Sequence, residues 1–512
     1  MPPEPRTSGN ASREGRPSLA WLARPGLLLA AGVVLGVASL HLWIDPSNPP
    51  GFHRDEASIA YNASTISTSL RDEHGGLLPL YIESFGDYKS PVFVYALAGL
   101  FRLTGPSSEV ARGLGAVGVL AAVLLLALLA FRRTRDVRVA AAVAALGGLS
   151  PWLFELGRVA VEVTLEPLVL VVLLLVLEDA WRRNRWGVTH GVAAGALLAL
   201  LAYTYAGARL LAPLLAASLL VFARRERLRS LGAAWATFAV LLMPLIAYAV
   251  RHPGALSARF HHTTFVKGDM SDWEVVRTFV GNYLTDISLW SYVTGGDPKP
   301  HIHIAGTGML LATGVALAAA GSVLSIRVAR EDRWAAFVLL ATILVPIPAA
   351  LTADRMNGYR LALLPIMLVV LAIPALEALV QWAARDRRAL VVAGALTAVA
   401  LVQFAGFLST YHEKGGFARA ELYEAGVPAL LAQAFANGAA VHMDLDEPRA
   451  HAHARWYAAT HDISQDRVVV LSDGGVPPDG SIVFGRAQAC DFECREFARS
   501  DTYWLARARV PN

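Results

Sequence analysis

Two carboxylates stand side by side at Asp55 and Glu56, in the run Gly51–Asn62 (GFHRDEASIAYN). A carboxylate within hydrogen-bond reach of a hydroxyl can take its proton, so the pair is a candidate base with a neighbour that orients it. The plainer reading is a solvated loop pair, or the N-cap of a helix starting near Ala57. Further on, Tyr81–Pro91 (YIESFGDYKSP) places Glu83, Asp87 and Lys89 within seven residues. Lys89 directly precedes an apolar run, Pro91–Leu103 (PVFVYALAGLFRL). There an ammonium either snorkels to a lipid surface or meets an anion such as a lipid phosphate.

More ionisable residues follow at intervals. Ser150–Pro167 (SPWLFELGRVAVEVTLEP) carries Arg158 and Glu162 at i, i+4, a spacing that predicts one shared helix face. Tyr203–Arg209 (YTYAGAR) and Ala353–Arg360 (ADRMNGYR) add Tyr205, Arg209, Asp354, Arg355 and Arg360. His261 and His262 are adjacent, and Gly295–Gly306 (GGDPKPHIHIAG) holds His301 and His303. Histidines so spaced can ligate a metal, although pairs of loop histidines are common without one.

These residues need elements to hold them. Hydrophobic residues make up 55% of the 512-residue chain and charged residues only 17%, against roughly 25% charged in soluble domains. Mean hydropathy is +0.45. The composition predicts a mainly α, polytopic membrane bundle and excludes a cytosolic enzyme, a secreted domain and a nucleic-acid binder. A net charge of +4 is too small to imply a polyanionic partner. With about 20 apolar residues needed per crossing, candidate spans fall at 25–44, 109–131, 139–155, 163–180, 188–204, 208–223, 231–250, 304–326, 334–351, 359–381 and 389–410.

One set of short loops, Arg132–Arg138, Glu178–Trp186, Arg224–Arg229, Arg327–Arg333 and Arg385–Arg388, holds 17 arginines; the alternate short loops hold four. This bias puts the first set and the N-terminus in the cytoplasm, and the C-terminus outside. Pro91–Leu103 is too short to cross and reads as an interfacial or re-entrant helix on the outer side. Two long outer loops result, about 45–108 and 251–303, both polar and punctuated by Gly and Pro. All four lysines, Lys89, Lys267, Lys299 and Lys414, fall on the outer side, which favours anion binding there. Residues 1–24 read as a disordered cytoplasmic tail leading into a signal anchor. From 411 to 512 the apolar runs stop and short strand-like runs alternate with helical ones, predicting a small α/β domain outside the membrane. It contains both cysteines, Cys490 and Cys494, whose bridging stays open at this point.

The span interiors are nearly free of charge, whereas a transporter would be expected to carry ionisable groups at the bilayer midplane. That favours chemistry at the outer interface on a lipid-linked substrate. No dinucleotide-type Gly-rich turn and no soluble cytoplasmic domain is found, so no nucleotide cofactor is expected.

The chain resembles the membrane glycosyltransferases of the GT-C superfamily, specifically bacterial protein-mannosyltransferase-like and aminoarabinose-transferase-like enzymes (glycosyltransferase family 39-like). The resemblance rests on HRDEASIAYNASTISTSLRDEHGGLLPLYIESFGDYKSPVFVYALAGLFRLTGPSSEVAR, on SPWLFELGRVAVE, and on GDPKPHIHIAGTGML and VPIPAALTADRMNGYRLALLP. It covers most of 25–410 and fades beyond. One departure is Lys-Ser-Pro at 89–91, where relatives often have Lys-Pro-Pro. The resemblance implies an inverting glycosyltransferase of the bacterial inner membrane. It would move a sugar from a polyprenyl-phosphate donor to a hydroxyl of a lipid, protein or glycan acceptor. It implies Asp55 as catalytic base and Glu56 as its support. Lys89 lies near the donor phosphate, with Arg158, Glu162, Arg209, Arg355 and Arg360 as further substrate-binding candidates. In some relatives a carboxylate and a loop histidine bind a divalent cation (Mg, Mn or Zn); the candidates here are Glu83, Asp87, His261 and His262. The alternative reading is a polyprenol or glycolipid transporter, or a non-catalytic lipid-binding membrane protein.

Overall fold

The computed structural model describes residues 25–43, 45–85, 87–183, 186–436, 440–443, 448–471, 477–486, 494–500 and 503–508; the expected tail, 1–24, and Cys490 lie outside them. The chain is a mainly helical, multi-pass membrane protein. Every candidate span contains helix, and among the described residues five helices are by themselves long and apolar enough to cross: Ser108–Thr134, Arg225–Arg251, Arg333–Ala350, Leu364–Ala383 and Arg387–Arg419. Others are shorter than expected. The 139–155 segment breaks at Pro151 into Val137–Gly148 and Pro151–Leu156, because proline cannot donate the next helical bond. The 304–326 segment becomes helical only at Ala312.

Three of the arginine-rich loops, at 132–138, 327–333 and 385–388, are compact helix-to-helix junctions. Arg132 and Arg133 lie in the last turn of Ser108–Thr134, where the helix dipole favours cations. The aspartate that follows in three of these loops caps the next helix: Asp136 for Val137–Gly148, Asp332 for Arg333–Leu344 and Asp386 for Arg387–Arg419. Small residues bring helices together. A Cβ on Gly191 or Gly195 would lie only 2.0 or 2.2 Å from the carbonyl oxygen of Ser230 or Ala234, so Val188–Ala202 can approach Leu228–Arg251 only with glycine at these positions.

The first long loop folds as the helix Arg54–Ser69, the hairpin Ile82–Ser84/Asp87–Lys89 and the helix Pro91–Thr104. Phe93, Val94, Leu97 and Phe101 of the last are buried against Ile59, Ala63 and Ile66 of the first. The second long loop departs from its expected polar character. It forms Ala255–Thr263, Asp272–Asp286 and Leu289–Thr294. On Asp272–Asp286 and just past it, Trp273, Val276, Val280, Leu284 and Ile287 form an exposed apolar row at helical spacing, opposite the buried Asn282 and Asp286. Dispersed over the sequence, the row left no continuous apolar run.

The last helix of the bundle does not stop at the expected boundary near 410 but runs on to Arg419. Beyond it, Val427–Phe435 and Pro448–Thr460 pack on a five-stranded mixed sheet. Its strand order is Val468–Val470, Val441–Met443, Ile482–Arg486, Tyr503–Ala508, Cys494–Arg499. The first three strands pair in parallel and the last two antiparallel. The strands at 441–443 and 494–499 carry too few apolar residues to read from sequence. Cys494 is not a free thiol. Trp456 stacks on Phe52 and Phe101 at 5.5 and 5.9 Å, which fixes this region against the first long loop.

Candidate active site

The helix carrying the paired carboxylates starts earlier than expected, at Arg54, and its N-cap is His53 rather than an acid. The His53 ring accepts the Asp55 N–H at 3.2 Å, and Glu56 returns the bond to the His53 N–H at 2.9 Å, closing a capping box. This box separates the two acids. Glu56 turns inward: it takes Arg112 in a bidentate pair (3.0 and 2.9 Å) and the Ala160 N–H (2.9 Å), and is fully buried. Asp55 is left facing a cavity of about 430 Å³.

The hairpin supplies the facing charges. Successive strand residues alternate sides, so Asp87 and Lys89 are buried while Glu83, across from Tyr88, is exposed. Lys89 Nζ lies 3.0 Å from Asp55 Oδ1, with the lysine side chain 5% exposed. Ser90 then donates its backbone N–H to Glu162. A proline at position 90 would have no N–H to make that contact.

The second long loop completes the wall. Arg259 Nη1 pairs with Asp87 Oδ2 at 2.7 Å. Asp354 Oδ2 receives Lys299 Nζ at 2.6 Å and Arg360 Nη1 at 3.2 Å. His301 stacks on His53 with ring centres 5.8 Å apart. Burial alone would raise the Asp55 carboxyl, but the charges of Lys89 and Arg259 outweigh it and hold the group well below the usual carboxylate range. Burial lowers His53, and lowers His301 to about 4 with help from the Lys299 charge, so both rings are neutral near pH 7. Burial raises Glu162 despite Lys89 beside it. The cavity therefore holds an ionised carboxylate flanked by the buried Lys89 and the half-buried Arg259, able to receive an anion beside a proton acceptor.

Of the residues singled out in the sequence, the cavity gathers Asp55, Glu56, Asp87, Lys89, Tyr205, His262, His301, Asp354 and Arg360, with Glu162 behind Lys89 through Ser90. The others go elsewhere. Arg158 donates to the carbonyls of His41 and Leu40, both at 2.6 Å, closing the end of the helix Pro25–Leu42. It shares no helix face with Glu162: the chain leaves the helix after Leu156, and the Ala160 N–H is drawn to Glu56. Arg209 lies over the Tyr81 ring at 4.5 Å and donates to the Leu256 carbonyl. Arg355 donates to Asn282 at 2.8 Å. The proposed cation ligands do not fit a metal: Glu83 is exposed, Asp87 is paired with Arg259, His261 is outside the cavity, and among the described residues no three His, Cys, Asp or Glu side chains converge. Sequence reasoning missed Arg259 and His53. Arg259 (LSARFHH) sits in no motif; Lys299 was visible only as one of four outer lysines.

No family model and no curated protein matches the chain. Solved structures share its architecture at low identity. The crystal structure of ArnT from Cupriavidus metallidurans bound to undecaprenyl phosphate aligns with a TM-score of 0.54 at 16% identity, covering 96% of this chain and 98% of that one. Its apo form gives 0.56 at 15% identity with the same coverage. The apo Archaeoglobus fulgidus oligosaccharyltransferase gives 0.52 at 16% identity, covering 89% of this chain and 65% of that one. Both are GT-C superfamily members, and the chain has their fold.

Proposed function

We propose that the chain is a glycosyltransferase that takes a sugar from a polyprenyl-phosphate donor and attaches it to an acceptor hydroxyl. The observation that carries this reading is the pairing of Asp55 with buried Lys89 in a cavity that also presents Arg259. The fold it shares with a protein crystallised with undecaprenyl phosphate supports the donor class.

In the mechanism, the donor phosphate lies against Lys89 and Arg259. Both cations are paired with carboxylates, Lys89 with Asp55 and Arg259 with Asp87, and can turn to a more concentrated negative charge. As Lys89 shifts to the phosphate, its hold on Asp55 weakens and the carboxylate becomes more basic. Asp55 then accepts the acceptor O–H proton while that oxygen attacks the anomeric carbon. The bond from that carbon to the phosphate oxygen breaks, and its electron pair leaves with the polyprenyl phosphate, whose charge Lys89 and Arg259 stabilise in a partly dehydrated site. One displacement inverts the anomeric configuration. Glu56 and Arg112 fix the helix start that aims Asp55.

The sidedness belongs to the same reading. With the arginine-rich loops in the cytoplasm, the cavity and the 411–512 region face outward, and a lipid-linked donor supplies sugar where nucleotide sugars are not made. The test is transfer by the purified protein from a panel of polyprenyl-phosphate sugars, with product anomer determined. Binding without transfer across the panel, or retention of configuration, would overturn the proposal.

A further inference from the structure

A second opening lies at the other end of the molecule. The helix Ser108–Thr134 touches the first long loop at Arg112, which grips Glu56. Twenty residues later it reaches Arg132, roughly 30 Å away at 1.5 Å per residue. Here a groove of about 540 Å³ opens between Ser108–Thr134, Glu166–Arg182 and Val188–Ala202. Its walls are apolar, formed by Leu125, Leu128, Leu175 and Val176, and its head is polar, with Arg132, Arg183, Thr189 and His190 around Asp179.

The charges at the head do not balance locally. Asp179 is already engaged by Arg183 Nε at 2.9 Å, by His190 at 3.3 Å and by Arg182 at 3.6 Å. Glu178 is paired with Arg182 at 3.2 Å. Arg132 has no ion pair or hydrogen bond among the described residues, and it is half-buried. Its charge acts on Glu178 and Asp179, but those two carboxylates face three guanidiniums, Arg132, Arg182 and Arg183, which leaves one positive charge at the end of an apolar span without a counter-charge. The groove offers one position for it, directly above a wall suited to hydrocarbon.

We infer that this groove binds an anionic diacyl phospholipid, its phosphate between Arg132 and Arg183 and one acyl chain along Leu125, Leu128, Leu175 and Val176. Charge complementarity at the head and apolar walls below it select a lipid over a soluble anion; basic pockets between membrane helices take acidic head groups for the same reason. The inference is independent of the reaction proposed above, whose cavity shares no residue with the groove.

The test is native mass spectrometry of the full-length protein, released from nanodiscs of phosphatidylglycerol or of phosphatidylcholine with the same chains. Phosphatidylglycerol should be retained and phosphatidylcholine lost. Arg132→Ala should lower retention about fivefold, the effect of one basic residue at an anionic surface; Arg132→Lys should restore most of it, and Arg224→Ala in an exposed loop should change nothing. Equal retention of both lipids, or an Arg132→Ala variant that folds and retains lipid as the parent does, would overturn the inference. Displacement of the lipid by millimolar inorganic phosphate would also overturn it, by reducing the groove to a plain anion site.

Discussion

Arg112 and Glu56 form a parallel two-point pair, Nε to Oε1 at 3.0 Å and Nη2 to Oε2 at 2.9 Å, with side chains 6% and 1% exposed. Arg112 also donates to the carbonyls of Pro49 and Gly51. One buried pair thus ties the Ser108–Thr134 helix to the turn that aims Asp55. Removing one partner leaves the other charged, buried and unpaired, which typically costs about 3–5 kcal/mol. Arg112→Ala should therefore unfold at lower temperature in detergent. Arg112→Met, which fills the space without the charge, should behave no better while Glu56 stays ionised. An Arg112→Ala variant with unchanged thermal stability would remove the pair from this role.

Asp55→Asn keeps the shape and removes the basicity. Turnover should fall by ~10²–10⁴, with donor binding retained, because Lys89 and Arg259 remain. Single-turnover transfer and lipid-donor binding, measured on the same preparation, separate the two effects. Parent-like transfer by this variant would take the base away from Asp55.

Lys89→Ala and Arg259→Ala should both weaken use of the donor more than use of the acceptor. Lys89→Arg should recover only part of the loss, since a flat fork does not replace a compact ammonium. Arg158→Ala and Arg209→Ala should leave donor dependence as it is, because their guanidiniums are committed to backbone carbonyls. Donor titrations of the four variants give the comparison; a donor defect confined to Arg158→Ala would reverse the assignment.

Asp286, in the second long loop, is fully buried with Oδ2 unpartnered, and burial raises its carboxyl from 3.8 to about 6. The folded state then binds the proton more tightly than the unfolded chain. Stability should fall as pH rises from about 4 to about 6 and stay reduced above that. Asp286→Asn keeps an acceptor for the Met356 N–H and removes the penalty. It should be as stable as the parent near pH 4 and more stable above pH 6, by up to about 3 kcal/mol. Melting temperatures across that range decide it; a variant less stable than the parent at neutral pH would contradict it.

Sidedness is open to chemistry on intact cells. A cysteine at Glu421, exposed just past the last bundle helix, should react with a membrane-impermeant thiol reagent, and one at Glu226, exposed in an arginine-rich loop, should not. Labelling at Glu226 with protection at Glu421 would invert the topology and remove the argument for a lipid-linked donor.

The sequence by itself determined what depends on local chemistry. Apolar run length set the helices, and the Arg-then-Asp order in the loops set their ends and caps. The alternation along Asp87–Lys89 put an acid and a lysine on one side of a strand. Asp55 and Lys89 were both legible as candidates, though 34 residues apart. Only the tertiary structure decided which charges meet. Arg158, Arg209 and Arg355 carried the same sequence signal as Arg360, yet each is spent on a carbonyl or an amide outside the cavity, while Arg259, in no motif, reaches Asp87 across 172 residues. A guanidinium on a long stem pairs with whatever acceptor the packing of distant helices brings within its reach. Spacing along the chain limits where that stem begins, and the fold alone limits where it ends.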